Sequence, residues 1–356
     1  MKIFMRYSIL KSIFLFKSFL LLLFTTLTVD TAMAQETLDF KNPTIINGGT
    51  NLAVGTQYRF QNVTTMADGT DVDALVTITN AQHATLTQFD DTADHLGNGL
   101  SSFDPIVQIN GGTIVNGSVD GAYVDFEFEF VLNSNNATPI IIELNAYSLD
   151  VDGNNGGIRE YVIISDFGGY VLNNPTQLNY IPSGRFESST DLVNAGINAN
   201  SQFLAKTEYA SISTFTYRAG VLRDTGVSTT PRQFALAFEP ISFINPNSVI
   251  IIDAVNDDFT ATPVDGVAGG SAGDVTTNDI LNGTAVDDTE ITITLDNDGG
   301  LTGVTIDANG NVIVPAGSES GNYTLTYTIC TIAVPSNCDT TTVEIVVDGT
   351  IDAVIN

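Results

Sequence analysis

The stretch YVDFEFEF, Tyr123 to Phe130, constrains the fold class more tightly than any other part of the chain. Val124, Phe126, Phe128 and Phe130 alternate with Asp125, Glu127 and Glu129, a period of two that suits a strand with one buried and one wet face. ALVTIT from Ala74, PIIIEL from Pro139, REYVII from Arg159, EITITL from Glu290, YTLTYTI from Tyr323 and TTVEIVV from Thr341 carry the same signature. Gly, Asn, Asp and Pro clusters punctuate them, and no stretch shows a convincing helical spacing. An all-β chain is expected, and 356 residues call for two domains rather than one.

Lys2, Arg6, Lys11 and Lys17 precede the uncharged run Ser18 to Val29, and Ala32 to Ala34 read AMA. This is the layout of a secretory signal peptide, so residues 1–34 are expected to be removed on export and the remainder to be secreted, extracellular or on the cell surface. The apolar run falls short of the roughly 20 residues that cross a bilayer, and no later run approaches that length, so no transmembrane segment is expected. The signal takes four of the 12 Lys and Arg from a chain whose net charge is already −29. Such a surface repels nucleic acid and anionic lipid. Most of its acids are aspartates in Gly/Asn-rich turns. They suit either hard cations such as calcium (Ca2+) or a purely solubilising surface.

After Arg232 there is no Lys, Arg or His, and a Pro/Asn turn with an acidic cluster follows. A boundary near Ile251 divides residues 35–250, rich in aromatics, from residues 251–349. The first domain is expected to be a jelly-roll-like β-sandwich and the likelier recognition surface.

The second domain resembles a known class through DAVNDDFTATP, GDVTTNDILNG, the long run ITLDNDGGLTGVTIDANGNVIVPAGSESGNYTLTYTIC and NCDTTTVEIVV. These are similar to the immunoglobulin-like or cadherin-like tandem repeats of very large secreted adhesin-type proteins of Bacteroidetes bacteria. The motif IDAV at Ile252 to Val255 recurs at Ile351 to Val354, about 100 residues on, the size of one small β-domain. Residues 350–356 are then the truncated start of the next repeat, and further repeats of the same chain are implied. The resemblance also points to calcium at the junction, where Asp253, Asn256, Asp257 and Asp258 repel one another unless they share a cation or stand solvated in a linker.

Cys330 and Cys338 close a nine-residue loop between two strand-like runs, and an even cysteine count in an exported chain favours a disulfide, worth about 2.5 kcal/mol in the chain-entropy model. His83 and His95 have no partner at metal or catalytic spacing and read as ordinary loop or strand residues. In LDVDGNNGGIRE, Asp150, Asp152 and Asn154 recur at every second residue and Glu160 follows, which fits a calcium turn of a β-sandwich or a plain Asp/Gly turn. Asp71 and Asp73 are candidates to complete such a site from another strand.

Glu127 and Glu129 on one strand face permit the paired carboxylates of a glycoside hydrolase, or simply a solvated face. The chain has no Trp, the side chain most expected in a sugar subsite. The expectation is a non-enzymatic, adhesin-like protein that recognises an extracellular glycan or surface protein on a calcium-stiffened stalk. The alternative is a carbohydrate-binding module or glycoside hydrolase accessory domain of a secreted enzyme.

Overall fold

The computed structural model describes residues 35–349 apart from 48–49, 111–116, 134 and 226–229. The chain divides into Met1–Met33 and Ala34–Asn356, and all described residues belong to the second unit. The signal segment and the tail that would begin another repeat lie outside the described residues.

The protein is all-β, and one short 3-10 turn, Ser201–Phe203, is the sole helical element among the described residues. A nine-stranded sheet runs in the order Thr44–Asn47, Gln57–Thr65, Asp71–Gln82, Ala122–Leu132, Thr214–Arg223, Ile158–Ile164, Arg185–Ser188 and Leu178–Ile181, with Asn135–Pro139 paired off Ala122–Leu132. Facing it is a five-stranded sheet of Ala235–Ala237, Ile142–Leu149, Ala205–Ile212, Gly169–Asn173 and Pro246–Ile250. A small third sheet, Arg232–Gln233, Ile106–Ile109 and Ala84–Gln88, packs against Ala122–Leu132. Among the described strands, all pairings except two short ones of the second domain run antiparallel, and an isolated bridge joins Glu36 to Leu144 in parallel.

The alternation in Ala122–Leu132 places Phe126, Phe128 and Phe130 fully inside while Asp125, Glu127 and Glu129 look outward. Phe128 stacks on its register partner Phe215 with centroids 4.5 Å apart, and Phe40, Phe60, Phe103 and Phe238 complete an aromatic centre. Rings of this size bury large apolar area and dominate core energetics. The run PIIIEL does not form one strand. Pro139 ends a short strand, Ile142 begins the next, and Ile141 between them is exposed. A proline without an N–H cannot continue the ladder it closes.

Residues from Ile252 to Val347 build a core of their own around Leu325, Tyr327, Ile329, Val343 and Ile345. Its main sheet joins Ile291–Asn297, Gly321–Thr331 and Cys338–Asp348, with Asp257–Asp258 and Val264–Asp265 added parallel to Cys338–Asp348. A second sheet holds Gly270–Asp274, Asn311–Val314 and Thr305–Ile306. Cys330 and Cys338 stand opposite one another in the long hairpin and are bonded, Cα atoms 4.0 Å apart.

Candidate functional site

The turn that carries Asp150, Asp152, Asn154 and Glu160 folds into the sandwich rather than out of it. Asp152 and Glu160 are about 1% exposed and Asp150 about 7%. Their cation comes from Arg232, on a strand far away in sequence. Its Nη2 donates to Asp152 Oδ1 at 2.6 Å and to the Gly153 carbonyl at 3.0 Å, and its Nε donates to Glu160. Asn194 completes the cluster, its backbone N–H on Asp152 Oδ2 at 2.6 Å and its Nδ2 on Asp150 Oδ1 at 2.5 Å. Asn154 is not brought in, because its Oδ1 accepts from the Gly156 and Ile158 amides as a local turn cap. Asp73, 0% exposed, is held by Arg59, Asn62 and Asn133, and Asp71 accepts from Thr65. Guanidiniums thus meet Asp152, Glu160 and Asp73, while Asp150 and Asp71 accept from neutral side chains.

One guanidinium against three carboxylates leaves negative charge inside. Burial pushes Asp150 up to about 7, and it raises Asp152 and Glu160 as well, against the pull of Arg232. The neighbouring residue Gln233 points to the opposite side of its strand, as the pleat requires. There it donates to Asp91 Oδ2 at 2.9 Å and lies 3.3 Å from His95 Nε2. His95 in turn contacts Asp104 at 3.1 Å, and the Asp104 amide donates to Asp90 at 2.9 Å. Asp90 is pushed up to about 7 by burial, and His95 is raised above its ordinary value chiefly by the bond to Asp104. In sequence His95 reads as an ordinary residue. The signal it lacked is the carboxylate nine positions on, which only the return of the chain through Phe103 brings to the ring.

Glu127 and Glu129 share the outer face of Ala122–Leu132, opposite Thr216 and Thr214. Burial, with the charge of Glu127 second, raises Glu129.

At the junction, Pro246–Ile250 pairs with Gly169–Asn173 of the first sandwich and Ile252–Asp253 with Ile280–Leu281 of the second. Only Ile251 lies between. Its N–H donates to the Gly168 carbonyl at 2.7 Å and its carbonyl accepts from Asn282 at 3.0 Å, while Asn337 Nδ2 donates to the Ile250 carbonyl at 2.8 Å. A Cβ on Gly168 would stand 2.0 Å from the Asn282 carbonyl carbon, so only glycine lets the two backbones meet. Asn282 and Gly283, both at positive φ, form the tight turn that presses against it.

The four junction residues expected to share a cation turn to different partners. Asp253 lines a cavity of about 480 Å³ between the sandwiches, and the Asn256 carbonyl accepts from Asn278. Asp257 is buried against the Tyr327 hydroxyl at 3.0 Å, which also meets Asp279 at 3.3 Å. Asp258 Oδ1 caps the Thr260 amide at 2.9 Å. Burial pushes Asp257 up to about 7 and Asp279 to about 6. Among the described residues, no group of three or more His, Cys, Asp or Glu side chains is arranged to hold a metal ion. No helix of the described residues is long and apolar enough to cross a membrane.

No protein-family model matches this chain, and no curated protein is detectably similar to it.

Proposed function

We propose that this is a non-enzymatic secreted protein of the cell surface, in which residues 35–250 recognise an extracellular ligand and residues 251–349 are the first unit of a repeat stalk. The course of the chain through the second domain carries the reading. Asn337, just before the last strand, touches the junction at Ile250. Cys338–Asp348 then runs 11 residues away from it, roughly 35 Å at strand spacing, parallel to Asp257–Asp258 and Val264–Asp265. A domain whose chain enters at one end and leaves at the other stacks end to end, which is what a stalk requires. The interlocked joint at Gly168, Ile251 and Asn282 supports a stalk that is stiff through packing.

Antibody fragments raised against residues 35–250 should stain intact producing cells and block their attachment. Staining only after lysis, or attachment untouched at saturating antibody, would remove this reading.

A further inference from the structure

The Glu36 N–H donates to the Glu143 carbonyl at 2.7 Å, and Glu36 forms a parallel bridge with Leu144 of the five-stranded sheet. The Glu36 carboxylate accepts from Thr64 of the nine-stranded sheet at 3.0 Å, so that side chain turns inward. Gln35, the preceding residue of an extended segment, turns the other way. Ile142 and Leu144 lie in the core, which puts Glu143 between them on the outer face as well. Gln35 and Glu143 line one cavity of about 290 Å³ together with Asn145, Lys206, Glu208 and Asn282.

The walls of this cavity carry two carboxylates against one ammonium, in a chain of net −29. Lys206 is engaged, since its Nζ donates to Glu208 at 2.5 Å. Register sets Glu208 opposite Asn145 and Lys206 opposite Tyr147, so the lysine stands at the far end of the ladder from Glu143. Across the bulge from Glu143 the lining residue is Ala210, which carries no side-chain donor. Glu143 is half-buried, and among the described residues no donor meets its carboxylate. One positive charge is missing beside Gln35.

We propose that this cavity is the dock of the chain's own processed N-terminus, with the α-ammonium of Gln35 seated on the Glu143 carboxylate. Removal of residues 1–34 by a signal peptidase hydrolyses the peptide bond before Gln35. Water gives its hydroxyl to the Ala34 carbonyl carbon and a proton to the Gln35 nitrogen, and the new carboxylic acid passes its own proton to the same nitrogen through solvent. A neutral amide thus becomes a cation one residue from the fixed bond between Glu36 and Glu143, and the missing charge is supplied. An opposite charge at this range holds an amine in its protonated form. A protonated amine has no lone pair, so Gln35 is kept from attacking its own side-chain amide and closing to a lactam with loss of ammonia. Asn282 of the second sandwich shares the wall and packs its backbone against Gly168, so the dock forms beside the joint, and only in the processed chain. This inference rests on the reading of the chain as a secreted protein and adds what removal of the signal does to its fold.

The test uses purified protein cut by a site-specific protease to begin at Gln35, beside the same protein retaining Ala34 and a Glu143→Gln variant that also begins at Gln35. In the parent, the Gln35 α-amine should titrate above the ordinary range of about 7.7–8.0. Its acylation near pH 7 should be about tenfold slower than in Glu143→Gln, because the reactive neutral form is rarer. Closure to the lactam, read by mass spectrometry as the loss of one ammonia, should be slowed by a similar factor. With Ala34 retained, the amine lies one residue farther out and should titrate in the ordinary range, which a general effect of the acidic surface would not allow. Equal acylation rates in the parent and Glu143→Gln, or an amine raised as far in the chain that keeps Ala34, would overturn the proposal. Protein from the native exterior that carries the lactam, or that begins at another residue, overturns it too. The antibody test of surface exposure stands or falls separately, since it does not depend on where the N-terminus lies.

Discussion

Replacing Arg232 with methionine should destabilise the first sandwich by about 3–5 kcal/mol, the cost of removing one partner from a buried ionic cluster. The variant keeps the length and apolar stem of the side chain and deletes only the charge that Asp152 and Glu160 share. Their carboxylates, with Asp150 beside them, would then be buried without a cation. Thermal unfolding should show the transition of residues 35–250 moving to lower temperature, while that of the second domain, whose core is separate, stays in place. Adding Asp152→Asn and Glu160→Gln to Arg232→Met should recover a large part of the loss, because the uncompensated charges go with it. An unchanged first transition in Arg232→Met would mean that the cluster is solvated and that Arg232 does not compensate it.

The second large effect is a stability that rises on mild acidification. Asp90, Asp150 and Asp257 are pushed up to about 7 and Asp279 to about 6, all mainly by burial, and Asp152, Glu160 and Asp104 are raised for the same reason. An unfolded aspartate titrates near 3.9. Between about pH 4 and pH 7 the folded protein therefore binds more protons than the unfolded chain, so the unfolding free energy grows as pH falls through that window. His95, raised by Asp104, has the same sign, since its contribution is lost as pH rises through its folded value. In the other direction work Asp68, Asp94, Asp258 and Asp287, exposed turn caps, and half-buried Asp307, all held below the usual carboxylate range by the groups they accept from. Their contribution disappears only below about pH 4. The melting temperature, measured in chelator, should peak near pH 5 and fall towards pH 8, by an amount corresponding to a few kcal/mol. A melting temperature that climbs from pH 5 to pH 8 would contradict the burial of these acids.

The strand pattern was legible because a period of two shows itself within a few residues. Phe126, Phe128 and Phe130 announce their face locally, as do the runs before Thr331 and after Cys338. The charged clusters were not legible. Asp150, Asp152 and Glu160 suggest a cation turn because their spacing is local, but Arg232, which answers them, is 80 positions from Asp152. Composition shows a cation-poor chain and says nothing of which carboxylates the few arginines reach. The junction was hard to read for a related reason. Asp257 and Asp258 look like one acidic patch in sequence, yet consecutive strand residues point to opposite faces. One is buried on Tyr327 while the other caps a turn. Gly168 gave no local sign either, since its need for glycine comes from Asn282 of the other domain.

Two sandwiches meet through Ile251 in a joint made rigid by packing. Small-angle scattering of the purified protein, with calcium and then with chelator, addresses it directly. One extended shape is expected in both conditions, with Gly168→Leu broadening the distribution because its side chain would strike the Asn282 backbone. A broad ensemble in the parent protein, or an extended shape that collapses when calcium is removed, would contradict it.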